Sequence, residues 1–315
     1  MIKINKCDLC NNKNLKYIYS DRDKMYNIKG NYPLNICNNC GLIFLNPQPN
    51  REEISKHYPK KKYYSLKEAP SSKKRKLTDK LIYPANGSIL LKLLLNPIRP
   101  FLRTTKIIKN GKILDVGCGT GNFLRKMKKY NMKCYGIEPN DFDKKNAKKH
   151  KLNIFHGTLT QAKYPDNYFD VITINHVLEH VNNPTRTLEE LRRILKPNGT
   201  LIITVPQSNS LAHKIFKKYW IHLDIPRHIY QYSTITLKKY AKKTGFKIET
   251  ITYKQRPFGF SGSILYWSNK FRKKQTYLSD HNIISRTLIS LLFIPLSYIC
   301  NILKTGDEVE IILTK

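Results

Sequence analysis

Four cysteines are spaced to hold a metal ion. They form two C-x-x-C pairs, Cys7/Cys10 and Cys37/Cys40, and Gly41 follows the second pair directly. A C-x-x-C turn makes a tight knuckle with both sulfurs on one side, and two knuckles supply the tetrahedral thiolate set that zinc prefers. Gly41 suits the positive φ of such a turn. The 26 residues between the pairs leave room for a β-hairpin. Four thiolates close the coordination sphere, so the expected ion is structural and not catalytic. Cys118, Cys134 and Cys300 stand singly. With their odd total, and no apolar stretch after the basic start MIKINKCDLC, they suggest a reducing, cytoplasmic setting.

A second group could cradle a small ligand. The run Lys112–Val116 leads into Gly117-Cys118-Gly119-Thr120-Gly121, and Glu138 ends the next apolar run. Glycines let the backbone turn sharply and let a ligand approach it, and a carboxylate ending the second strand can accept both ribose hydroxyls. Asp115 beside the glycines disfavours a pyrophosphate, the spacing is G-x-G-x-G and not G-x-G-x-x-G, and no Gly-Lys-Ser/Thr follows.

A third group could move protons. His176 and His180 follow the apolar run FDVITIN, and residues 220–233, WIHLDIPRHIYQYS, carry His222, Asp224, Arg227, His228 and Tyr230. Histidine titrates near neutrality and can deprotonate an oxygen acceptor, which makes His176, His180 and His228 the catalytic candidates. Arg227 could grip a phosphate bidentately, with Asp224 and Tyr230 beside it as further substrate-binding candidates.

These residues need a frame. From residue 111 onward, apolar strand-like runs alternate with helical patterns of about 10–15 residues, the signature of a parallel sheet covered by helices on both faces. The expected fold is α/β. The expected division is a zinc ribbon over 1–50, a basic linker over 51–85, a ligand-binding domain over 86–253, an apolar insertion or lid over 254–304 and a last strand over 305–315.

The ordered set LDVGCGTG, YGIEP, FDVITINHVLEHV and LKPNGTLIITVP, over about residues 111–250, resembles the class I S-adenosylmethionine-dependent methyltransferases. The resemblance implies a Rossmann-like seven-stranded fold and roles for matching positions. Gly117, Cys118, Gly119 and Gly121 would pass the methionine moiety. Asp115 would fix the loop or the ammonium group, and Glu138 would bind ribose. Thr158 and Leu159 would flank adenine, and Asn175 and His176 would face the methyl group. The Pro226-Arg227-His228 element and the N-terminal four-cysteine ribbon resemble a subgroup associated with cell-surface polysaccharide or glycolipid synthesis. That implies a sugar, nucleotide-sugar or lipid-linked glycan acceptor. No N/D-P-P-Y/F follows the fourth strand, where Asn175-His176-Val177-Leu178 stands, so a base-amine methylase is disfavoured.

Composition bounds the partners. The chain has 315 residues, 57 Lys+Arg against 22 Asp+Glu, and a formal charge of +35. That excess suits an anionic partner such as a phosphorylated substrate, an anionic membrane or nucleic acid, and equally suits compositional drift. Two alternatives therefore stand beside the glycan reading: a zinc-ribbon rRNA methyltransferase and a quinone-like small-molecule O-methyltransferase. Residues 287–303, TLISLLFIPLSYICNIL, are uncharged. Seventeen residues of helix reach about 26 Å, short of a comfortable span. The strands expected on either side belong to one sheet, so this segment must return on one side. It is expected to be a lid or an interfacial element on the inner membrane face, with Thr287, Ser290, Ser297 and Asn301 on one stripe and a kink at Pro295.

Overall fold

Two sheets organise the chain. The N-terminal one is antiparallel: β1 (Leu15–Asp21), β2 (Tyr32–Cys37) and β3 (Ile43–Leu45), followed by helix α1 (Arg51–Lys56). The Asn50 side chain caps α1 by accepting from the Glu53 amide at 2.8 Å. The larger sheet contains β4 (Lys112–Val116), β5 (Lys133–Glu138), β6 (Asn153–His156), β7 (Phe169–Asn175) and β8 (Leu195–Pro206). Its interleaved helices are α2 (Asn122–Lys128), α3 (Lys144–Lys149), α4 (Pro184–Ile194) and α5 (Leu211–Phe216). Then come β9 (Tyr230–Gln231), α6 (Thr234–Lys243), β10 (Lys247–Lys254), α7 (Pro257–Ser268), α8 (Ile294–Ile302) and β11 (Glu308–Thr314). This computed structural model describes residues 1–59, 105–140, 144–271 and 289–315. The linker from residue 60, the start of the expected 86–253 domain through residue 104, and residues 272–288 of the apolar insertion lie outside the described residues.

The large sheet has the order β10-β11-β8-β7-β4-β5-β6. β4 to β8 run parallel, and β11 lies antiparallel between β8 and β10. Strands buried on both faces must be apolar throughout, and β7 obeys: Phe169, Val171, Ile172 and Ile174 are fully buried. Helix α4 covers one face with Leu188, Leu191 and Ile194. Each such side chain contributes about 1.5–3 kcal/mol by leaving water. The strand order reverses at β4, with β5 on one side and β7 on the other. At such a switch point the loops leaving the two strands diverge and open a crevice at their carboxyl ends. The glycine segment and the Asn175-His176 turn therefore lie side by side.

Two features depart from the sequence expectations. The N-terminal sheet is not completed by residues 1–50. Its fourth strand is β9, with Phe44 opposite Tyr230 and Ile43 opposite Gln231. Cys7, Leu9, Cys37, Leu42 and Phe44 share one continuous core with Tyr230, Tyr232 and the large sheet. Further, Pro295 does not kink a helix but sits in the first turn of α8, where no amide hydrogen bond is lost.

Helix α8 also turns its polar stripe inward. Ser297 is fully buried, and Asn301 accepts the Gln255 amide through Oδ1. Leu292 (78% exposed), Ile302 (60%) and Leu303 (63%) face outward, along with Ile299 and Tyr298. Among the described residues no helix is long and apolar enough to cross a membrane.

Candidate active site and metal centre

The four ribbon cysteines converge. Cys7 Sγ lies 3.5 Å from Cys40 Sγ, Cys10 Sγ lies 3.5 Å from Cys37 Sγ, and all four sulfurs fall within 4.8 Å of one another. A tetrahedral zinc site with bonds near 2.3 Å places its sulfurs about 3.8 Å apart, so the residues fit the ion. The two knuckles repeat one backbone design. The Asn11 amide donates to the Cys7 carbonyl, and the Gly41 amide donates to the Cys37 carbonyl. Asn11 (φ 57°) and Gly41 (φ 79°) take the same left-handed turn position. The expected consequence is one zinc per chain. Because the thiolates share the main core, stripping the ion, or Cys37→Ser, should lower the melting temperature by more than about 5 °C, equivalent to a few kcal/mol. Metal analysis with calorimetry checks this; an unchanged melting temperature after complete zinc removal would refute a structural role.

The ligand crevice is built on the glycine loop. Gly117, Gly119 and Gly121 all have positive φ, at 70°, 54° and 76°. A Cβ on Gly117 would lie 2.3 Å from Val177 Cγ2, so the loop after β4 and the turn after β7 touch. Asp115 is buried beneath the loop and accepts the Thr173 hydroxyl at 2.7 Å. Cys118 is buried, and its amide donates to the Ile137 carbonyl. Glu138 Oε2 accepts the Gly119 amide at 2.8 Å, while Oε1 accepts the Asn140 backbone and side-chain N–H groups at 3.0 Å. Thr158 is exposed, with its hydroxyl and amide both donating to Gln161 Oε1 at 2.9 Å, and Leu159 is buried beside it.

On the other side of the crevice stands a histidine–carboxylate cluster. Asn175 ends β7 opposite Thr204, and His176 follows in a left-handed conformation (φ 53°). A non-glycine residue held there carries local strain, a common mark of a functional turn. His176 Nδ1 lies 3.2 Å from Glu179 Oε1, and Nε2 lies 3.6 Å from Glu308 Oε1. Burial alone would lower its pKa, but Glu308 and Glu179 outweigh that and raise it to about 9. At neutral pH His176 is therefore an imidazolium. That favours the protonated ring over the free base expected from its position in the sequence. Burial pushes Glu308 up, and Arg256 and His176 more than offset this, leaving it a carboxylate. Glu179 Oε2 and Glu308 Oε2 are buried without a hydrogen-bond partner.

His180 and His228 stack edge to face with ring centroids 4.8 Å apart. Burial drives the His228 pKa down to about 4, so it stays neutral. The turn that carries His180 is fixed from the residues on either side of β9. The Ile229 amide donates to the Glu179 carbonyl at 2.8 Å, and the Tyr232 hydroxyl donates to the Leu178 carbonyl at 3.1 Å.

The three substrate-binding candidates have their partners within the protein. Arg227 is fully buried. Its Nε donates to Asp224, Nη1 to Asp23 and the His57 carbonyl, and Nη2 to Asp23 and Asp224, at 2.6–3.1 Å. Every guanidinium nitrogen is committed within the protein, so none remains for a phosphate. Asp224 is the other half of that pair. Tyr230 is buried in β9 and donates to the Asn182 carbonyl at 3.2 Å. Asp23 continues through His57 Nδ1 (2.7 Å) and Tyr32 to Glu53. This network joins the N-terminal sheet, α1 and the loop before β9. Sequence reasoning missed Asp23, His57 and Glu308. The available signal for Glu308 was that a chain with only 22 acidic residues places Asp307, Glu308 and Glu310 together at its last strand.

Residues 90–251, just over half of the chain, match the profile of a family described as a methyltransferase domain. The chain belongs to this methyltransferase family. Its sheet, with an antiparallel last strand inserted beside β8, is the class I S-adenosylmethionine-dependent arrangement expected from the sequence. The chain is 31% identical over 129 residues to an uncharacterized methyltransferase of Schizosaccharomyces pombe, covering 36% of this chain and 46% of that protein. It is 35% identical over 134 residues to a ubiquinone biosynthesis O-methyltransferase of Actinobacillus pleuropneumoniae, covering 38% and 56%. The chain spans about half the length of the curated relatives it matches. Among solved structures it is similar to an S-adenosylmethionine-dependent methyltransferase of Archaeoglobus fulgidus, with TM-score 0.44, 20% identity, and coverage of 76% of this chain and 99% of that one.

Proposed function

We propose that this methyltransferase methylates a hydroxyl group of a sugar, nucleotide-sugar or lipid-linked glycan. The observation that carries the oxygen acceptor is the pair of buried carboxylates, Glu179 and Glu308, each with an unpartnered oxygen, flanking His176, whose neighbour Val177 touches the glycine loop. S-adenosylmethionine, when bound, supplies an electrophilic methyl group on sulfur. In this reading Glu138 holds the ribose, Asp115 and the glycine backbone hold the methionine end, and Thr158 and Leu159 border adenine. Asn175 and the His176 turn shape the wall facing the methyl group. The open Glu308 oxygen accepts the acceptor's O–H, orients its lone pair and takes the one proton released as the methyl group transfers, while cationic His176 keeps both carboxylates ionised. Glu308→Gln should therefore cut kcat about 10²-fold or more with little change in S-adenosylmethionine affinity. Turnover equal to the parent would overturn the role of this carboxylate.

The inverted helix α8 supports the lipid-linked form of the acceptor. A row of exposed Leu292, Ile299, Ile302 and Leu303 backed by a buried polar stripe suits a peripheral position on a bilayer, with Lys270 and Lys304 available to anionic headgroups. Labelled methyl transfer should be compared on a glycolipid in anionic vesicles, a soluble nucleotide-sugar and a quinol. Leu292→Glu with Ile299→Glu should reduce vesicle-borne turnover at least about tenfold and spare soluble turnover, since each buried CH2 contributes about 0.8 kcal/mol. Equal vesicle turnover in the double variant would sink the membrane reading. Exclusive turnover of the quinol would favour the second reading, a small-molecule O-methyltransferase. The match to ubiquinone O-methyltransferases supports that alternative.

A further inference from the structure

Three side chains beside the crevice have an arrangement that methyl transfer alone does not require. Glu179, His180 and His228 each offer a ligand atom, and these atoms lie within 4.8 Å of one another. Both imidazoles are held by backbone carbonyls: His180 Nδ1 lies 2.8 Å from the Arg227 oxygen, and His228 Nδ1 lies 2.7 Å from the His222 oxygen. A carbonyl oxygen only accepts, so Nδ1 carries the hydrogen and each Nε2 of a neutral ring keeps a lone pair. His228 Nε2 faces Asp224 Oδ2 at 3.8 Å and Glu179 Oε1 at 3.9 Å. Those atoms are acceptors, and the distances are too long for a shared proton. Glu179 is 1% exposed, and its Oε2 has no hydrogen-bond partner. His176 and Arg227 already supply positive charge to Glu179 and Asp224, but the two Nε2 lone pairs beside them have no proton to share, and a further cation would complete the set.

We propose that Glu179, His180 and His228 form a second metal site, for a divalent first-row ion, whose open positions take oxygen atoms of the acceptor. Two imidazoles and one carboxylate make a mixed nitrogen–oxygen set that leaves coordination positions free, unlike the closed sulfur set of the ribbon. The Nδ1–H to carbonyl hydrogen bonds are the outer-shell contacts that orient metal-binding histidines. Ligand atoms around a tetrahedral ion at bonds of about 2.1 Å stand about 3.4 Å apart, so modest side-chain rotation closes the site. An oxygen bound there loses its proton more readily, with Glu308 beside the neighbouring His176. The acceptor-holding part rests on the methyl-transfer reading; the metal binding does not.

The test uses the full chain with its ribbon zinc in place, titrated with Mn2+, an ion that thiolates bind poorly. The loss of the free-ion electron paramagnetic resonance signal reports binding. One Mn2+ per chain is expected, with affinity reduced at least about tenfold in Glu179→Gln and in His180→Gln. Circular dichroism and retained zinc show that each variant is folded, and His228→Asn serves where one is not. No binding at millimolar Mn2+, or equal binding in the folded variants, overturns the site. If Mn2+ binds through these residues but turnover ignores it, the acceptor-holding part falls and the metal site stands. If Mn2+ binds and no acceptor is methylated under any condition, the methyl-transfer reading falls while the metal site stands.

Discussion

Arg227→Ala is expected to remove about 3–5 kcal/mol of stability, the cost of breaking a buried ion pair from one side. The guanidinium is fully buried between Asp23 and Asp224, which are also buried or nearly so. Alanine leaves two carboxylates facing each other without a counter-charge, and it frees the His57 carbonyl that Nη1 satisfies. Arg227→Lys should recover only part of the loss, because an ammonium cannot reproduce the bidentate contacts to both acids. Urea unfolding measures the effect, and a loss below about 1 kcal/mol would refute the network's structural role. The pH dependence carries a sign. Burial raises the pKa of Asp23, but His57 and Arg227 more than offset this and hold it at about 2. Its contribution to the parent is therefore complete above the ordinary aspartate value near 3.9 and disappears as pH falls toward about 2. In Arg227→Ala the unpaired acids favour protonation, so the deficit should shrink on acidification.

Glu138→Ala should weaken S-adenosylmethionine binding by at least about 10²-fold. Two hydrogen bonds to a charged acceptor contribute about 1.5–3 kcal/mol each, and each 1.4 kcal/mol is tenfold. The carboxylate is 5% exposed and already accepts the Gly119 amide. Its removal would loosen the loop as well as delete the proposed ribose contact. Isothermal calorimetry decides the matter, and a dissociation constant within about threefold of the parent would refute the assignment of the ribose site. Glu138→Gln separates the two effects. It keeps an oxygen for the Gly119 amide but loses the charge, so its affinity should lie between parent and alanine.

Both predictions begin with residues visible in the sequence, but they differ in what made them legible. Glu138 could be assigned a place because it ends a strand at a fixed distance from the glycine loop, and strand-end geometry is local. Arg227 could not. Its residue type and its exposed-looking neighbours, His222, Asp224 and Tyr230, suggested a phosphate grip. One of its two carboxylate partners, Asp23, lies 204 residues away. The same holds for Glu308, which β11 carries to Pro206 by antiparallel pairing and so to His176. Helix α8 shows the limit in another form. Of the stripe expected from periodicity only Ser297 and Asn301 lie on this helix, and periodicity did not show that they face Gln255 and the interior.

The sequence by itself determined the alternation of strands and helices, the glycine loop with Asp115 and Glu138, the turn carrying His176, and the four sulfurs. Each depends on residue type at short, fixed spacing, where backbone geometry leaves few choices. Tertiary structure alone decided that β9 completes the N-terminal sheet and that Arg227 binds inward. It also decided that Glu179 and Glu308 bracket His176 and that His180 and His228 meet over Glu179. Those outcomes depend on which distant segments share a low-dielectric interior. There a charge takes whichever opposite charge packing brings within reach, and sequence spacing carries no record of that meeting.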